Sequence, residues 1–296
     1  MMTPLYSSSL RNGRFLVPVL LGLVLVLACS APVPRPTGVA YEFDSAKDMF
    51  KRGRFDKALD FTDGPASASP PNAFTERALV LRVAIYSGQI RAYKELADAY
   101  RKGADATKNT RFKAEYERQR HDSLQYGSRL ALGLGDTAHR LTEGVRISKE
   151  LTLDAPYPTT EGPQTLPPLA HVIEGGWIEP EEQESVARDA QIKGIDDALA
   201  EMVGGDRSKA RSALTAGPVK LSGVDFGLYL GKQLLDGASF FDRKHIRDSM
   251  KLRTLCGEAD EAAKAALALL KESPDKDKEK AAKKLQDDVK TALKNL

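Results

Sequence analysis

Apolar residues at helical spacing around Gly53 constrain the fold of this chain more than any other feature. Two apolar sets flank the glycine at intervals of three and four residues: Ala46, Met49 and Phe50 before it, and Phe55, Ala58 and Leu59 after it. This spacing places each set on one face of a helix. Because glycine adopts left-handed backbone angles at little steric cost, Gly53 suits the turn between them. The stretch predicts two antiparallel helices packed through small and aromatic side chains.

The same positions resemble the tetratricopeptide repeat (TPR), a pair of antiparallel helices with a period of 34 residues. In that repeat an alanine and an aromatic residue precede a Gly-x-aromatic-x-x-Ala turn, and the matching residues here are Ala46, Phe50, Gly53, Phe55 and Ala58. Further turns are predicted where glycines follow apolar segments, namely at Gly88 (35 residues after Gly53), at Gly133 with Gly135, and at Gly257. The resemblance implies helical hairpins stacked one on another.

We therefore predict an all-α fold in which antiparallel helical hairpins stack as a TPR-like α-solenoid. Residues 43–150 form an N-terminal helical block, and residues 179–296 form a C-terminal one. In the second block Pro180 is suited to the first turn of a helix that Gly204 ends. The last helix, from Lys276 to Leu296, has an amphipathic stripe and is expected to cap the stack.

A proline-rich segment, residues 151–178, separates the two predicted blocks. Its prolines are Pro156, Pro158, Pro163, Pro167 and Pro168. Proline lacks a backbone donor and disrupts both helices and ladder strands, so this segment is expected to be a linker or a surface loop. Trp177, near the end of this segment, is expected either to anchor the loop on the second block or to contact a ligand.

The N-terminal segment predicts export. Arg11 and Arg14 precede an apolar stretch of 14 residues, from Phe15 to Ala28. Spanning about 30 Å of hydrocarbon requires about 20 residues, so this stretch is typical of a signal peptide instead.

Val26-Leu27-Ala28-Cys29, at the end of that stretch, resembles the lipobox of bacterial lipoproteins. The resemblance implies cleavage of residues 1–28, a diacylglyceryl thioether on Cys29 and palmitate on the new amine. By the same resemblance, Ser30 at the next position, where an aspartate would imply retention in the inner membrane, favours the outer membrane, facing the periplasm. Residues 29–42 would be a tether, extended by alternating prolines. The alternatives are a secreted protein with an unrelated cysteine and an uncleaved membrane helix.

Charge and cysteine content exclude several classes of function. Removing Arg11 and Arg14 from the 44 basic residues leaves 42 against 41 acidic ones, a formal charge of +1. A nearly neutral chain gives no reason to expect a nucleic-acid partner. Lipidation of Cys29 would leave Cys256 without a partner for an intramolecular disulfide.

Sequence signatures of catalysis are lacking. The four histidines, His121, His139, His171 and His245, have no metal-ligand spacing, and no phosphate-binding loop is present. Gly133-x-Gly135-x-x-Ala138 matches a dinucleotide fingerprint only superficially, because a predicted helix precedes it rather than a strand. We therefore expect no enzyme activity, no cofactor and no metal.

These features together predict a lipid-anchored envelope protein that acts as a helical scaffold or adaptor for a protein partner. Tyr93 and Tyr100 lie seven residues apart on one helical face, where they would line a groove or else pack between helices. The alternative function is a periplasmic small-molecule-binding subunit of a transport or envelope pathway. A scaffold predicts an open groove, whereas a small-molecule carrier predicts an enclosed apolar cavity.

Overall fold

A computed structural model describes residues 38–158 and 167–294, which form ten α-helices and one small sheet. The predicted signal peptide and Cys29 lie outside the described residues. The helices are α1 (Val39–Lys51), α2 (Phe55–Ala66), α3 (Thr75–Ala106), α4 (Thr110–His139), α5 (Pro167–Ile173), α6 (Pro180–Val203), α7 (Arg207–Ala216), α8 (Gly223–Ala238), α9 (Ser249–Leu270) and α10 (Lys276–Lys294). A π-helical turn (Arg140–Val145) follows α4, and a 3-10 turn (Ser239–Phe241) follows α8. The all-α class is confirmed.

The first hairpin follows the sequence prediction. Helices α1 and α2 are joined at Gly53, whose φ of 70° lies in the left-handed region. The rings of Phe50 and Phe55 meet edge to face across the turn, with centroids 5.6 Å apart, and both are fully buried. Helix α1 begins at Val39, so the last residues of the predicted 29–42 tether are helical.

The predicted turn at Gly88 is wrong. Helix α3 runs through Gly88 without interruption for 32 residues, about 48 Å at 1.5 Å per residue. A Cβ added at Gly88 would lie 2.6 Å from the Cα of Ile195 on α6. Gly194 of α6 lies at the same crossing, where the Gly88 carbonyl oxygen occupies the space that a Cβ at residue 194 would need. These two glycines therefore let two helix backbones cross closely, and neither makes a turn.

The turns predicted at Gly133, Gly135 and Gly257 are also wrong, because each glycine lies inside a helix. Gly133 leaves room for the ring of Tyr86, and Gly135 for the side chain of Leu255. Gly257 has no heavy atom within 4 Å of an added Cβ, so it neither forms a turn nor allows a close approach of another element. The 35-residue period therefore does not continue beyond the first hairpin, and a TPR-like α-solenoid arrangement is not confirmed.

Helix boundaries in the second half agree with the sequence. Helix α6 begins at Pro180 and ends at Val203, and Gly204, which caps it, has a left-handed φ of 97°. The carboxylate of Asp206 accepts a hydrogen bond from the Lys209 amide and so caps α7. Helix α10 begins at Lys276, as predicted.

A two-stranded antiparallel sheet was not predicted. Strand β1 (Glu150–Leu153) pairs with β2 (Val219–Ser222), with Leu151 opposite Leu221. Both leucines are buried, so the sheet fastens the chain after the π-helical turn to the start of α8. The described residues from Gly38 onward form one compact unit, in which helices from both predicted blocks pack against each other.

Two apolar cores hold this unit together. The larger one surrounds the first half of α3, which is buried on almost every side. The smaller one lies under the second half of α3 and contains Leu96, Tyr100, Tyr116, Val172 and Ile178 among its buried members. Since only one side of this half-helix meets a core, its other side is available to solvent.

Candidate binding surface on the long helix

The second half of α3 carries two stripes of charged residues on its outer side. One stripe consists of Lys94, Asp98 and Arg101, and the other of Arg91, Glu95 and Lys102. The residues of the first stripe are four and three positions apart, and those of the second are four and seven positions apart. Both spacings keep the side chains on one face of the helix. A cavity lies on each side of this charged ridge, and the two cavities share Lys94 and Asp98.

The larger cavity, which we call the Phe240 pocket, has a volume of about 450 Å³. It lies between α3, α4 and the segment that follows α8. Its lining consists of Lys94, Ala97, Asp98, Arg101, Arg120, Leu124, Ser239, Phe240, Lys244 and His245. The apolar lining residues are the half-buried Leu124 and the buried Ala97 and Phe240, and the remaining side chains are polar or charged. A volume of this size is within the range of small-molecule sites.

Close packing fixes the apolar surface of this pocket. Phe240 is only 1% exposed, and its ring occupies the space where residue 127 of α4 would otherwise have a Cβ. Gly127 is therefore required for the ring to lie directly against the α4 backbone.

Lys244 and His245 lie in a hydrogen-bonded turn that follows α8. The Asp242 carboxylate accepts from the backbone amides of Lys244 at 2.8 Å and His245 at 3.1 Å. The Ile246 amide donates to the Phe240 carbonyl oxygen at 3.0 Å and so closes the turn. These bonds hold Lys244 and His245 at the edge of the pocket.

The charged lining of the Phe240 pocket has an excess of cations. It contains four Lys or Arg side chains and one carboxylate, that of Asp98. Lys94 pairs with Asp236 at 3.2 Å, whereas the nitrogen–oxygen distances from Arg101 to Asp98 and Asp105 are long, at 3.6 and 3.9 Å. The ammonium of Lys244 has no ion-pair partner within residues 38–158 and 167–294.

The smaller cavity, which we call the Ile173 cleft, has a volume of about 340 Å³. It lies between α3 and α5 and is lined by Arg91, Lys94, Glu95, Asp98, Ala99, Lys102, Leu169 and Ile173. Ile173 is 38% exposed, which is unusual for a large aliphatic side chain. Lys102 beside it makes no ion pair with any part of the chain that the structure describes.

Ion pairs at the far end of the Ile173 cleft tie three helices together. Glu201 of α6 accepts hydrogen bonds from Arg91 at 2.6 Å and from Lys232 of α8 at 2.5 Å. Burial by itself would raise the pKa of Glu201, but the two cationic donors outweigh it and hold the pKa below its usual value. Glu201 is therefore a carboxylate at neutral pH, and it fixes the orientation of Arg91.

Tyr93 and Tyr100 do not line a common groove. Tyr100 is 4% exposed and packs against Tyr116 in the smaller core, where burial raises its pKa to about 12. Tyr93 is half-buried, accepts a hydrogen bond from Gln191 and stacks on the exposed ring of Tyr126. The arrangement corresponds to the inter-helix packing alternative, and both cavities lie on other faces of α3.

Trp177 anchors its loop, but it does so against the N-terminal block and not against the C-terminal block as expected. Its ring lies 4.8 Å from that of Phe112 and under the guanidinium of Arg111, both on α4. The neighbouring Gly176 carbonyl oxygen accepts a hydrogen bond from the Tyr116 hydroxyl. These contacts hold the chain between α5 and α6 against α4.

The charged stripes of α3 were not recognised in the sequence because only its tyrosines, Tyr93 and Tyr100, were considered as the lining of a groove. Both stripes lie after Gly88, in a stretch predicted to be helical, so the spacing of Lys94, Asp98 and Arg101 is visible without a structure. Phe240 and Lys244 are different, since nothing in the sequence indicates that they approach α3.

Within the described residues no helix is long and apolar enough to cross a membrane. The same part of the chain contains no cluster of three or more His, Cys, Asp or Glu side chains that could hold a metal ion. Comparisons with family profiles, with curated proteins and with solved structures found no match.

Proposed function

We propose that this chain is a lipid-anchored protein of the cell envelope whose helical body binds a protein partner through the Ile173 cleft. The observation that carries the proposal is the exposed Ile173 beside Lys102, a cation without an ion pair among the described residues. Protein interfaces commonly combine an apolar centre with a polar edge. A partner segment that presents an apolar side chain and a carboxylate would complement both residues.

The anchor rests on the lipobox-like sequence that ends at Cys29. Two or more acyl chains give stable membrane attachment, whereas one chain gives only marginal attachment. A protein held in this way meets partners at the membrane surface, so a modest interface is enough for association.

Replacement of Cys29 tests the anchor. We expect Cys29→Ala to lose all palmitate labelling and to move from the membrane fraction to the soluble fraction of cells. Cys256→Ala is the matched control, because Cys256 is fully buried in α9 and lies outside the lipobox. The control should label like the unaltered chain. Equal labelling of Cys29→Ala would refute lipidation at this position.

Charge and polarity changes in the Ile173 cleft test the adaptor function. We expect Lys102→Glu combined with Ile173→Asp to reduce recovery of a cross-linked envelope protein at least about ten-fold, because both recognition elements are lost. Lys209→Glu on α7 is the control for charge reversal at an exposed lysine. Recovery of no protein by the unaltered chain, or equal recovery by the double variant, would contradict the proposal.

A further inference from the structure

We infer that the Phe240 pocket is a binding site for a small organic anion: a phosphate or carboxylate group joined to a compact apolar body. The inference does not depend on the adaptor proposal, because it concerns the cavity on the other side of the charged ridge. It corresponds to the second function considered from the sequence, small-molecule binding, and specifies the chemistry of the ligand.

The charge distribution selects an anion. Four cationic side chains from three separate chain segments converge on the cavity, whereas Asp98 is the one carboxylate among the described residues that line it. Because the cations come from α3, α4 and the turn after α8, their convergence is a property of the fold and not of one amphipathic helix. Over the whole chain acids and bases nearly balance, so this excess is local.

Two of the cations are available to a ligand without loss of a strong ion pair. Lys244 has no ion pair among the described residues, and Arg101 has only the long contacts to Asp98 and Asp105. A guanidinium can donate two parallel hydrogen bonds to a phosphate or carboxylate, and an ammonium adds a compact charge. Lys94 and Arg120 are already paired, with Asp236 and Glu117, and contribute mainly to the potential.

The apolar surface selects a ligand with an apolar body. Phe240, Leu124 and Ala97 line the cavity, and of these Leu124 is the one whose side chain is half-buried, whereas Phe240 and Ala97 are buried. An inorganic anion would leave the exposed part of Leu124 in contact with water, whereas an aromatic ring or short alkyl chain would cover it. A volume of about 450 Å³ accommodates a single ring or short chain with its anionic group.

Direct titration of the full chain, purified in mild detergent, tests the inference. We expect phenyl phosphate and benzoate to bind saturably with a stoichiometry of one, and benzyl alcohol and inorganic phosphate to bind at least about ten-fold more weakly. Comparison of the first two probes distinguishes a phosphate site from a carboxylate site. Absence of saturation by both organic anions up to about 10 mM would overturn the inference.

Variants locate the binding in the pocket. Arg101→Gln combined with Lys244→Gln should weaken phenyl phosphate binding at least about ten-fold, because two charged donors are lost. Lys280→Gln on α10 removes the same kind of charge from an exposed lysine outside the pocket and should leave the affinity within about two-fold. Both positions in the double variant are exposed, and far-UV circular dichroism verifies the fold. Unchanged binding by the double variant would also overturn the inference.

Discussion

Gly88→Ala is expected to destabilise the chain by about 2 kcal/mol, although alanine is the better helix former. The new Cβ would lie 2.6 Å from the Cα of Ile195 and 2.8 Å from its backbone nitrogen, so α3 and α6 would have to separate. Overpacking of this kind costs about 1–3 kcal/mol, and rigid backbone atoms place the cost at the upper end. The gain in helix propensity, about 1 kcal/mol, offsets only part of it.

Gly257→Ala is the matched control, because Gly257 also lies inside a helix but has no heavy atom within 4 Å of an added Cβ. Here only the propensity effect remains, and we expect a gain of about 0.5–1 kcal/mol. Urea unfolding of the full chain measures both changes. The same sign for the two substitutions, or no loss for Gly88→Ala, would show that the helices do not cross closely at Gly88.

A comparison of Gly53 with Gly88 also shows how far the sequence determines the fold. Glycine is favoured at helix ends and at close helix crossings, and local spacing alone does not distinguish the two. At Gly53 the flanking apolar sets change faces, and the structure has a turn there. At Gly88 the apolar residues continue on every side, because this part of α3 is buried all round. An all-round apolar helix has no face whose change could mark a turn.

Elements with a local cause were predicted well. The start of α6 at Pro180, its end at Gly204 and the start of α10 at Lys276 each follow from residues within one helical turn of the boundary. The β1–β2 sheet was missed because its two strands are only four residues each and pair residues as far apart as Glu150 and Ser222, which are 72 positions apart. Such a pairing depends on tertiary packing and has only a weak local pattern.

The binding surface was predictable only in part. Its helical stripes follow from the spacing of the charged residues on α3, whereas the pocket requires the turn after α8 to meet α4 at Gly127. That contact joins residues 113 positions apart, Gly127 and Phe240, and no repeat or motif in the chain relates them. The tyrosines chosen from their spacing, Tyr93 and Tyr100, share a helix with the surface but pack away from it.

Phe240→Ala should cost about 3–5 kcal/mol of unfolding free energy, the largest effect expected from a single substitution at this surface. The ring is 1% exposed and lies directly against the backbone at Gly127, so its removal leaves a cavity that the helices cannot easily close. Phe240→Leu retains most of the apolar volume and should cost less than about 1.5 kcal/mol. Met250→Ala is the surface control, because Met250 is 77% exposed, and should be within about 0.5 kcal/mol of the unaltered chain.

A local measurement separates this contact from a general loss of stability. The Ile246 amide donates to the Phe240 carbonyl oxygen and the Asp248 amide to that of Phe241, so both hydrogen bonds depend on the position of the 3-10 turn. In Phe240→Leu, which should remain folded, exchange with solvent is expected to increase more at these two amides, relative to the unaltered chain, than at amides in the middle of α3. If Phe240→Ala costs no more than Met250→Ala, or if exchange at Ile246 and Asp248 is unchanged, then Phe240 does not hold the turn against α4. The basic edge of the pocket would then lack a fixed position, since Lys244 lies in the turn that this ring fastens.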